Sequence, residues 1–274
     1  MQTVTELNSW VGKEQVRTAI IDHRQCELMA ATLGCDIPKH GEELPGLWHW
    51  CWFNDALPAS ELGRDGHPRK GGFLPPVPLP RRMWAGGKVE FVSPIEVGTE
   101  CTKRSTIMDI QEKNGRSGSL CIVTIEHLFL DGDRLCVREE QNLVYREDPK
   151  EGAPKPSPAK PPSGAQIIKS LKPDSVLMFR YSALTFNGHR IHYDVDYARD
   201  VEGYRDLVFH APLTAMLLLR LAEELAEGNP VRQFSYRATS PLYCNEEVKL
   251  RGRADGESLL VWAENMAGES GNDR

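Results

Sequence analysis

The chain has 274 residues, with 40% hydrophobic residues, 26% charged residues and a formal net charge of −6. This length accommodates one large domain or two ordinary ones, and the composition is typical of a protein with a proper core. The charge gives no bias toward nucleic acid or an anionic membrane, and no apolar run approaches the length of a membrane span. We therefore expect neither as a partner.

The seven cysteines indicate a reducing compartment. Their number is odd, their spacing is wide and they form no Cys-x-x-Cys pair, which argues against a disulfide framework and against a zinc site. The N-terminal residues lack a charged-then-apolar signal sequence. On these grounds we expect a cytoplasmic protein.

Two stretches near the start of the chain carry apolar periodicity. Residues 14–33 have partly helical spacing and end at Gly34, which predicts a helix. Trp48, Trp50 and Trp52 stand at alternate positions, which is the spacing of a strand. Their side chains either line a core face or form an aromatic wall for a ligand.

Residues 54–88 are dense in proline and glycine and predict an ordered surface loop. The loop is basic within an acidic protein, and its charges either contact phosphate or are simply solvated. Its basic residues are Arg64, Arg69, Lys70, Arg81, Arg82 and Lys88.

The remaining pattern predicts two units of similar size. Residues 88–146 have the alternation and turn signals of an antiparallel meander. Between 148 and 163, six of sixteen residues are proline, which predicts an extended linker. We therefore predict an N-terminal half at 1–147 and a C-terminal half at 164–274.

A short repeat supports duplication of one unit. Ser93-Pro94 and Ser240-Pro241 each follow an aromatic strand and precede an alternating one, on either side of the linker. A helix followed by an antiparallel meander, twice over, gives an α+β fold class.

The helix of the second half is predicted from Pro212 to Glu227. Pro212 suits the first helical turn, and Gly228 supplies a stop. The polar residues of this helix share one narrow stripe, so it is expected to be buried on most sides. A sheet must curve around it.

A polar cluster precedes that helix, and it comprises Asn187, His189, His192, Tyr193 and Asp194. Polar groups near a core are costly unless hydrogen-bonded, and they are the usual groups of catalysis. Metal binding is the other chemical interpretation, because His189 and His192 lie three apart with Asp194 close by. It lacks a clear third ligand at standard spacing, so we predict no metal.

Residues 181–213 resemble the active-site region of the MaoC-like (R)-specific hydratase and dehydratase superfamily. The resemblance is closer to its double-hot-dog branch, which includes the type 2 hydroxyacyl-thioester dehydratases and the mesaconyl- and itaconyl-CoA hydratases. The matching stretches are Phe-Asn-Gly-His-Arg-Ile-His-Tyr-Asp at 186–194 and Leu-Pro-Arg-Arg-Met-Trp-Ala-Gly-Gly at 79–87. The similarity covers nearly the whole chain. It implies a double hot-dog fold, with two curved antiparallel sheets that each wrap a central helix.

The superfamily motif is Gly-Asp-x-Asn-Pro-x-His, in which Asp and His form the hydration dyad. On this chain the Asp position holds Asn187, the Asn position His189 and the His position His192. An amide has no useful basicity, so we expect His192 to act as acid/base while Asn187 positions the water. His189 is either a second proton-transfer group or a structural donor. The amide of Ala211, at the start of the buried helix, is the candidate oxyanion donor.

The resemblance implies reversible hydration of an α,β-unsaturated acyl-CoA thioester without a cofactor. We expect a short, branched dicarboxylic substrate such as mesaconyl- or itaconyl-CoA, with the first half remodelled to hold the acyl chain or CoA. Residues expected to contact the substrate are Arg190, Arg81, Arg82, Trp84 and His210.

Three alternatives stay open at this point. The first is a 3-hydroxyacyl-thioester dehydratase of fatty acid synthesis, the second a thioesterase that would use Asp194, and the third a non-catalytic acyl-CoA-binding module. The missing aspartate at position 187 keeps the third alternative open. Assembly into a homo-oligomer is also left open.

Overall fold

A computed structural model describes residues 7–115, 118–149, 160–265 and 270–273. The chain divides into two compact units. The first unit comprises Met1–Asp148 and Ala183–His189, and the second comprises Pro149–Ser182 and Arg190–Arg274. The short segment 183–189 thus belongs with the first unit, which the sequence did not predict.

The first unit is an antiparallel sheet with one described α-helix. Its strands are β1 (Glu14–Ile20), β2 (Arg81–Phe91), β3 (Glu100–Gly115), β4 (Gly118–Asp131) and β5 (Arg134–Arg146). They lie in the order β1-β3-β4-β5-β2. Helix α1 (His23–Leu33) follows β1; the Asp22 side chain caps its first turn, and Gly34 ends it in the left-handed conformation.

The core of this sheet follows from the alternation of its strands. Cys121, Val123 and Ile125 of β4 point to one face and are buried. They cluster with Ile107 of β3 and Tyr145 of β5, because successive side chains of a strand point to opposite faces.

A buried polar network lies elsewhere in the first unit. The Glu139 carboxylate of β5 is 1% exposed. It accepts hydrogen bonds from Trp50 Nε1 at 3.0 Å and contacts His49 Nε2 at 3.2 Å. His127, also buried, bonds Ser105 through Nδ1 at 2.8 Å.

Three predictions for the first unit were wrong in part. Residues 14–20 form strand β1 rather than the start of a helix, since they pair with β3 along their whole length. Trp48–Cys51 is a short 3-10 helix rather than a strand. The predicted loop at 54–88 ends at Pro80, since β2 begins at Arg81 and pairs with β5.

The second unit repeats the strand order of the first. Its strands are β6 (Ile167–Leu171), β7 (Gln233–Ala238), β8 (Val248–Asp255), β9 (Ser258–Asn265) and β10 (Ser270–Asp273). Their order is β6-β8-β9-β10-β7. The two orders match when the strands of each unit are counted along the chain, so that β6 takes the place of β1, β7 that of β2, and so on. This identity of topology supports duplication of one unit.

The helices of the second unit are α2 (Ser175–Leu184), whose last two residues belong to the first unit, and α3 (Ala211–Leu225). The predicted helix at 212–227 is confirmed as α3, with Pro212 in its first turn. It packs against β8 and β9, and its buried side chains include Leu213, Met216 and Leu219. Helix α2 was not predicted.

The predicted linker at 148–163 lies largely outside the described residues, and the predicted domain limits stay a prediction. All seven cysteines are free thiols. Among the residues that the structure describes, every helix is too short or too polar to span a membrane.

Candidate active site

The polar motif follows α2 directly. A turn with Phe186 in the left-handed region (φ 49°) ends the helix, residues 187–189 have no regular structure, and Arg190–His192 form a 3-10 turn. The boundary between the two units falls inside the motif, between His189 and Arg190. Each part of the motif is therefore described within its own unit.

His192 is buried in the second unit with a defined hydrogen bond. Its Nδ1 lies 2.7 Å from the carbonyl oxygen of Val208. A carbonyl can only accept, so Nδ1 carries the proton, and Nε2 holds the lone pair of the neutral ring. The backbone thus fixes the tautomer that a proton acceptor at Nε2 requires.

His210 holds the His192 ring from one side. The two rings are stacked, with centroids 3.7 Å apart and planes at 19°. His210 is fully buried, and its Nε2 lies 2.8 Å from Ser182 Oγ. The predicted contact residue His210 therefore orients the predicted catalytic histidine, and it directly precedes the first residue of α3.

The N-terminus of α3 presents few backbone donors. Ala211 is the first helical residue, and Pro212, which follows it, has no N–H. N–H groups in the first turn of a helix lack intrahelical acceptors, and they lie at the positive end of the helix dipole. Ala211 is therefore the first residue of α3, and its role as oxyanion donor stays a prediction.

Arg190 and Asp194 form an ion pair with each other. Arg190 donates to Asp194 Oδ2 from Nε at 3.0 Å and from Nη2 at 2.7 Å, and its guanidinium lies over the Tyr197 ring at 4.1 Å. The backbone N–H of Tyr197 and the Arg190 side chain lower the pKa of Asp194. A paired carboxylate with a lowered pKa is a poor general base, which argues against the thioesterase alternative.

Asn187 makes a local bond in the first unit. Its Oδ1 accepts from the backbone N–H of His189 at 3.0 Å, a bond typical of an asparagine that shapes a turn. This bond uses one lone pair of Oδ1, and the Nδ2 group of the amide can donate hydrogen bonds. Asn187 can therefore orient a water, but it cannot take up a proton.

His189 lies against a second histidine that the sequence did not single out. The rings of His67 and His189 have centroids 4.3 Å apart. His67 Nδ1 is 3.1 Å from Asp65 Oδ2, and both belong to the predicted basic loop. The signal in the sequence was a carboxylate two residues from a histidine in a predicted ordered loop. The sequence alone does not show which side chains such a loop contacts.

The predicted basic loop encloses a charged cavity. A cavity of about 250 Å³ lies in the first unit. The charged residues that line it are Arg64, Asp65, Arg69, Lys70 and Arg82. Burial lowers the pKa of Lys70, and the positive charge of Arg82, on β2, lowers it further. The cavity is suited to an anion such as a carboxylate or a phosphate.

Two further predicted contact residues lie on β2. The Trp84 ring packs edge-on against Trp50 at 4.9 Å and against the core cluster of the sheet. Arg81 pairs with Arg146 in the ladder with β5. Trp84 therefore has a packing role, and the substrate contacts expected of Trp84, Arg81 and Arg190 stay predictions.

Gly188 is predicted to tolerate no side chain. A Cβ atom there would lie 2.8 Å from the backbone oxygen of Gly66, and a backbone atom cannot move aside as a flexible side chain can. Gly188→Ala should lower the free energy of unfolding by about 1–3 kcal/mol, measured by urea denaturation. Gly72→Ala, where the Cβ would meet nothing within 4 Å, should change it little. Equal stability of both variants would contradict the close approach.

The comparisons with known proteins agree with one another. Residues 47–244 match the family model of hydroxyacyl-thioester dehydratase type 2. A mesaconyl-C(4)-CoA hydratase from Chloroflexus aurantiacus is 41% identical over 265 residues, which are 95% of this chain and 93% of that protein.

Two solved structures show the fold. A MaoC-like dehydratase from Phytophthora capsici superposes with a TM-score of 0.70 at 17% identity, covering 99% of this chain and 97% of that chain. A Mycobacterium tuberculosis protein with a double hotdog fold gives 0.51 at 14% identity, covering 96% and 94%. The predicted α+β double hot-dog fold is thereby confirmed.

Proposed function

The chain belongs to the hydroxyacyl-thioester dehydratase type 2 family, and we propose that it is a hydro-lyase. Its reaction is the reversible addition of water to an α,β-unsaturated acyl-CoA thioester. The observation that carries the proposal is the hydrogen bond between His192 Nδ1 and the Val208 carbonyl. It leaves Nε2 of a buried histidine as the proton acceptor. This tautomer supports the assignment of His192 as the proton-transfer histidine of the motif.

Hydration places a hydroxyl on Cβ and a proton on Cα of the enoyl thioester. We assign proton exchange to His192 and orientation of the water to Asn187. The thioester oxygen gains negative charge during the reaction, and a donor at a helix N-terminus stabilises such charge. We assign that donor to the amide of Ala211. His189, whose backbone N–H binds Asn187, keeps the water-orienting amide in place.

We propose a short, branched dicarboxylic acyl group for the substrate. The relative from Chloroflexus aurantiacus acts on mesaconyl-C(4)-CoA, whose acyl group carries a free carboxylate. The basic cavity of the first unit, with Arg82 on its wall, would bind that carboxylate. Guanidinium groups bind carboxylates in a bidentate manner.

Replacement of Arg82 tests this assignment. Arg82→Gln should raise KM for mesaconyl-C(4)-CoA by roughly 10- to 100-fold, since a hydrogen bond to a charged group contributes about 1.5–3 kcal/mol. KM for crotonyl-CoA, which lacks the carboxylate, should change little. The measurement is loss of the enoyl-thioester absorbance at a series of substrate concentrations.

A matched control is Arg138→Gln, which removes an exposed arginine that pairs with Glu126. It should leave both KM values unchanged. If Arg82→Gln raised KM equally for both substrates, the cavity would bind a CoA phosphate, and the proposed carboxylate contact would be wrong.

A second candidate function is 3-hydroxyacyl-thioester dehydration in fatty acid synthesis. The family model carries the description hydroxyacyl-thioester dehydratase type 2, and dehydration is the same chemistry in the opposite direction. Turnover of a long-chain 3-hydroxyacyl thioester in preference to the diacid would favour it. The cytoplasmic location and the homo-oligomer stay predictions.

A further inference from the structure

Hydration requires two proton transfers, because water loses a proton while Cα gains one. The superfamily motif provides a carboxylate and a histidine for them. In this chain the carboxylate position holds Asn187, and an amide neither gains nor loses a proton near neutral pH. One proton-transfer group is therefore missing from the motif itself.

The loop of the first unit contains a carboxylate–histidine pair with two hydrogen bonds. Asp65 Oδ1 accepts from the backbone N–H of His67 at 3.1 Å, and Asp65 Oδ2 lies 3.1 Å from His67 Nδ1. One carboxylate thus holds both the backbone and the ring of His67. This double contact fixes the rotamer of the ring.

The contact also selects a tautomer. A carboxylate only accepts, so the proton of the neutral His67 ring lies on Nδ1, and Nε2 holds the lone pair. The same logic orients the histidine of an Asp–His pair in hydrolases. Burial lowers the pKa of His67 to about 4, although the Asp65 bond opposes that shift. His67 is therefore neutral at pH 7 and can accept a proton.

The pair lies beside the motif segment of its own unit. The His67 ring contacts the His189 ring at a centroid distance of 4.3 Å, and the backbone of Gly66 approaches Gly188 so closely that only glycine fits. Gly188 and His189 directly follow Asn187 in the chain. The His67 side chain is 24% exposed.

The loop is ordered by its own hydrogen bonds. Gly63 N donates to His67 O at 2.7 Å, and Arg69 N donates to Glu61 O at 2.9 Å. Lys70 Nζ donates to the carbonyl of Leu79 at 2.8 Å. A catalytic group must be held by its surroundings to be effective, and this loop meets that condition.

We propose that His67 is a second acid/base group of the hydration reaction and that Asp65 is its positioning residue. The proposal rests on the proposed function. His67 Nε2 takes the proton that the attacking water loses as its oxygen bonds to Cβ, and the imidazolium so formed returns that proton to Cα, while Asp65 keeps the Nδ1 proton in place. The pair supplies the proton transfer that Asn187 cannot.

A metal ion is the competing interpretation of the same residues. Ligand atoms of Asp65, His67 and His189 all lie within 4.8 Å of one another. However, both oxygens of Asp65 already accept from His67. The positive charge of Arg82 also acts on both Asp65 and His67, and it would repel a divalent cation. The electrostatics favour the proton-transfer role.

Kinetics of two variants test the proposal. His67→Gln should lower kcat for mesaconyl-C(4)-CoA by on the order of 100-fold or more, with a much smaller change in KM. Asp65→Asn should also lower kcat, because the asparagine amide can donate to Nδ1 and so move the ring proton to Nε2 in part of the molecules. His23→Gln is the matched control, since His23 is an exposed histidine beside a carboxylate, and it should be as active as the wild type.

A spectroscopic arm separates positioning from folding. Two-bond ¹H–¹⁵N correlation spectra of histidine-labelled protein report each ring's tautomer, with His67 assigned by its loss in His67→Gln. The wild type should show His67 neutral with Nδ1 protonated at pH 7, and Asp65→Asn should populate the other tautomer. Circular dichroism and melting curves should be unchanged in both variants.

The outcomes distinguish this proposal from the proposed function. An active wild type with an unimpaired His67→Gln variant would overturn the role of His67 alone. A wild type that hydrates none of the enoyl-CoA substrates would overturn both. Stoichiometric binding of added zinc that His67→Gln abolishes, measured by calorimetry, would replace the proton-transfer role with a metal site.

Discussion

Replacement of His192 by alanine is expected to lower the hydration rate by on the order of 10²- to 10⁴-fold, the range for loss of an acid/base group. The side chain is 8% exposed, and its Nδ1 donates to Val208. The ring is stacked on that of His210, with centroids 3.7 Å apart. KM should change much less than kcat, because the proton transfer occurs only during the reaction.

His192→Asn separates the chemistry from the fold. The asparagine amide can still donate to the Val208 carbonyl, but it cannot exchange a proton near neutral pH. This variant should therefore keep the melting temperature of the wild type while showing the low rate of His192→Ala. If His192→Asn retained most of the activity, His192 would be a structural residue and the proposed assignment would fail.

Replacement of Glu139 by alanine is expected to destabilise the first unit by about 3–5 kcal/mol, the range for breaking a buried ion pair. Glu139 accepts a hydrogen bond from Trp50 Nε1 and contacts His49. Burial lowers the pKa of Lys103, and the negative charge of Glu139 partly opposes that shift. Alanine would leave these donors buried without their acceptor. Urea denaturation of both proteins measures the loss.

The same network predicts the pH dependence of stability. Burial would raise the pKa of Glu139, but the His49 bond and nearby positive charge outweigh it and lower the pKa to about 2. Burial, followed by Lys103, lowers the pKa of His127 to about 3. Both groups bind protons more readily in the unfolded chain than in the folded protein. The free energy of unfolding should therefore fall as the pH drops from about 6.5 toward 3.

Glu140→Gln is the control for Glu139. Glu140 is the neighbouring residue and is exposed on the opposite face of β5. Its replacement should change stability by less than about 0.5 kcal/mol. A Glu139→Ala protein as stable as Glu140→Gln would show that the buried carboxylate contributes nothing to the first unit.

The sequence predicted the elements whose pattern is strong and local. Helix α3 was predicted because Pro212, an apolar run and Gly228 mark its start, body and end. The strands β3, β4 and β5 alternate clearly and are separated by turn residues. The histidine and asparagine of the motif were found because they crowd a few positions before a buried helix.

Other features depend on contacts that are distant in the chain. Trp48 and Trp50 have strand spacing, yet they form a 3-10 helix, because the Trp50 indole bonds Glu139 almost ninety residues away. Strand β1 has a short apolar pattern that also fits a helix, and only pairing with β3 decides between them.

The Asp65–His67 pair was missed for a similar reason. Its sequence reads as an ordinary turn, and its neighbour His189 follows more than one hundred residues later. The role predicted for Arg190 also depends on a partner, since its Nε and Nη2 donate to Asp194, and that role stays a prediction. Charge and spacing suggest which residues can act, but the fold decides what they face.

Addition of water across the double bond can be followed directly by isotope labelling. Purified protein would be incubated with mesaconyl-C(4)-CoA in ¹⁸O-labelled water, and the CoA thioesters would be analysed by mass spectrometry. We expect a thioester product heavier by one labelled water, absent with His192→Ala. Release of free CoA, or recovery of the substrate unchanged by a folded protein, would contradict it.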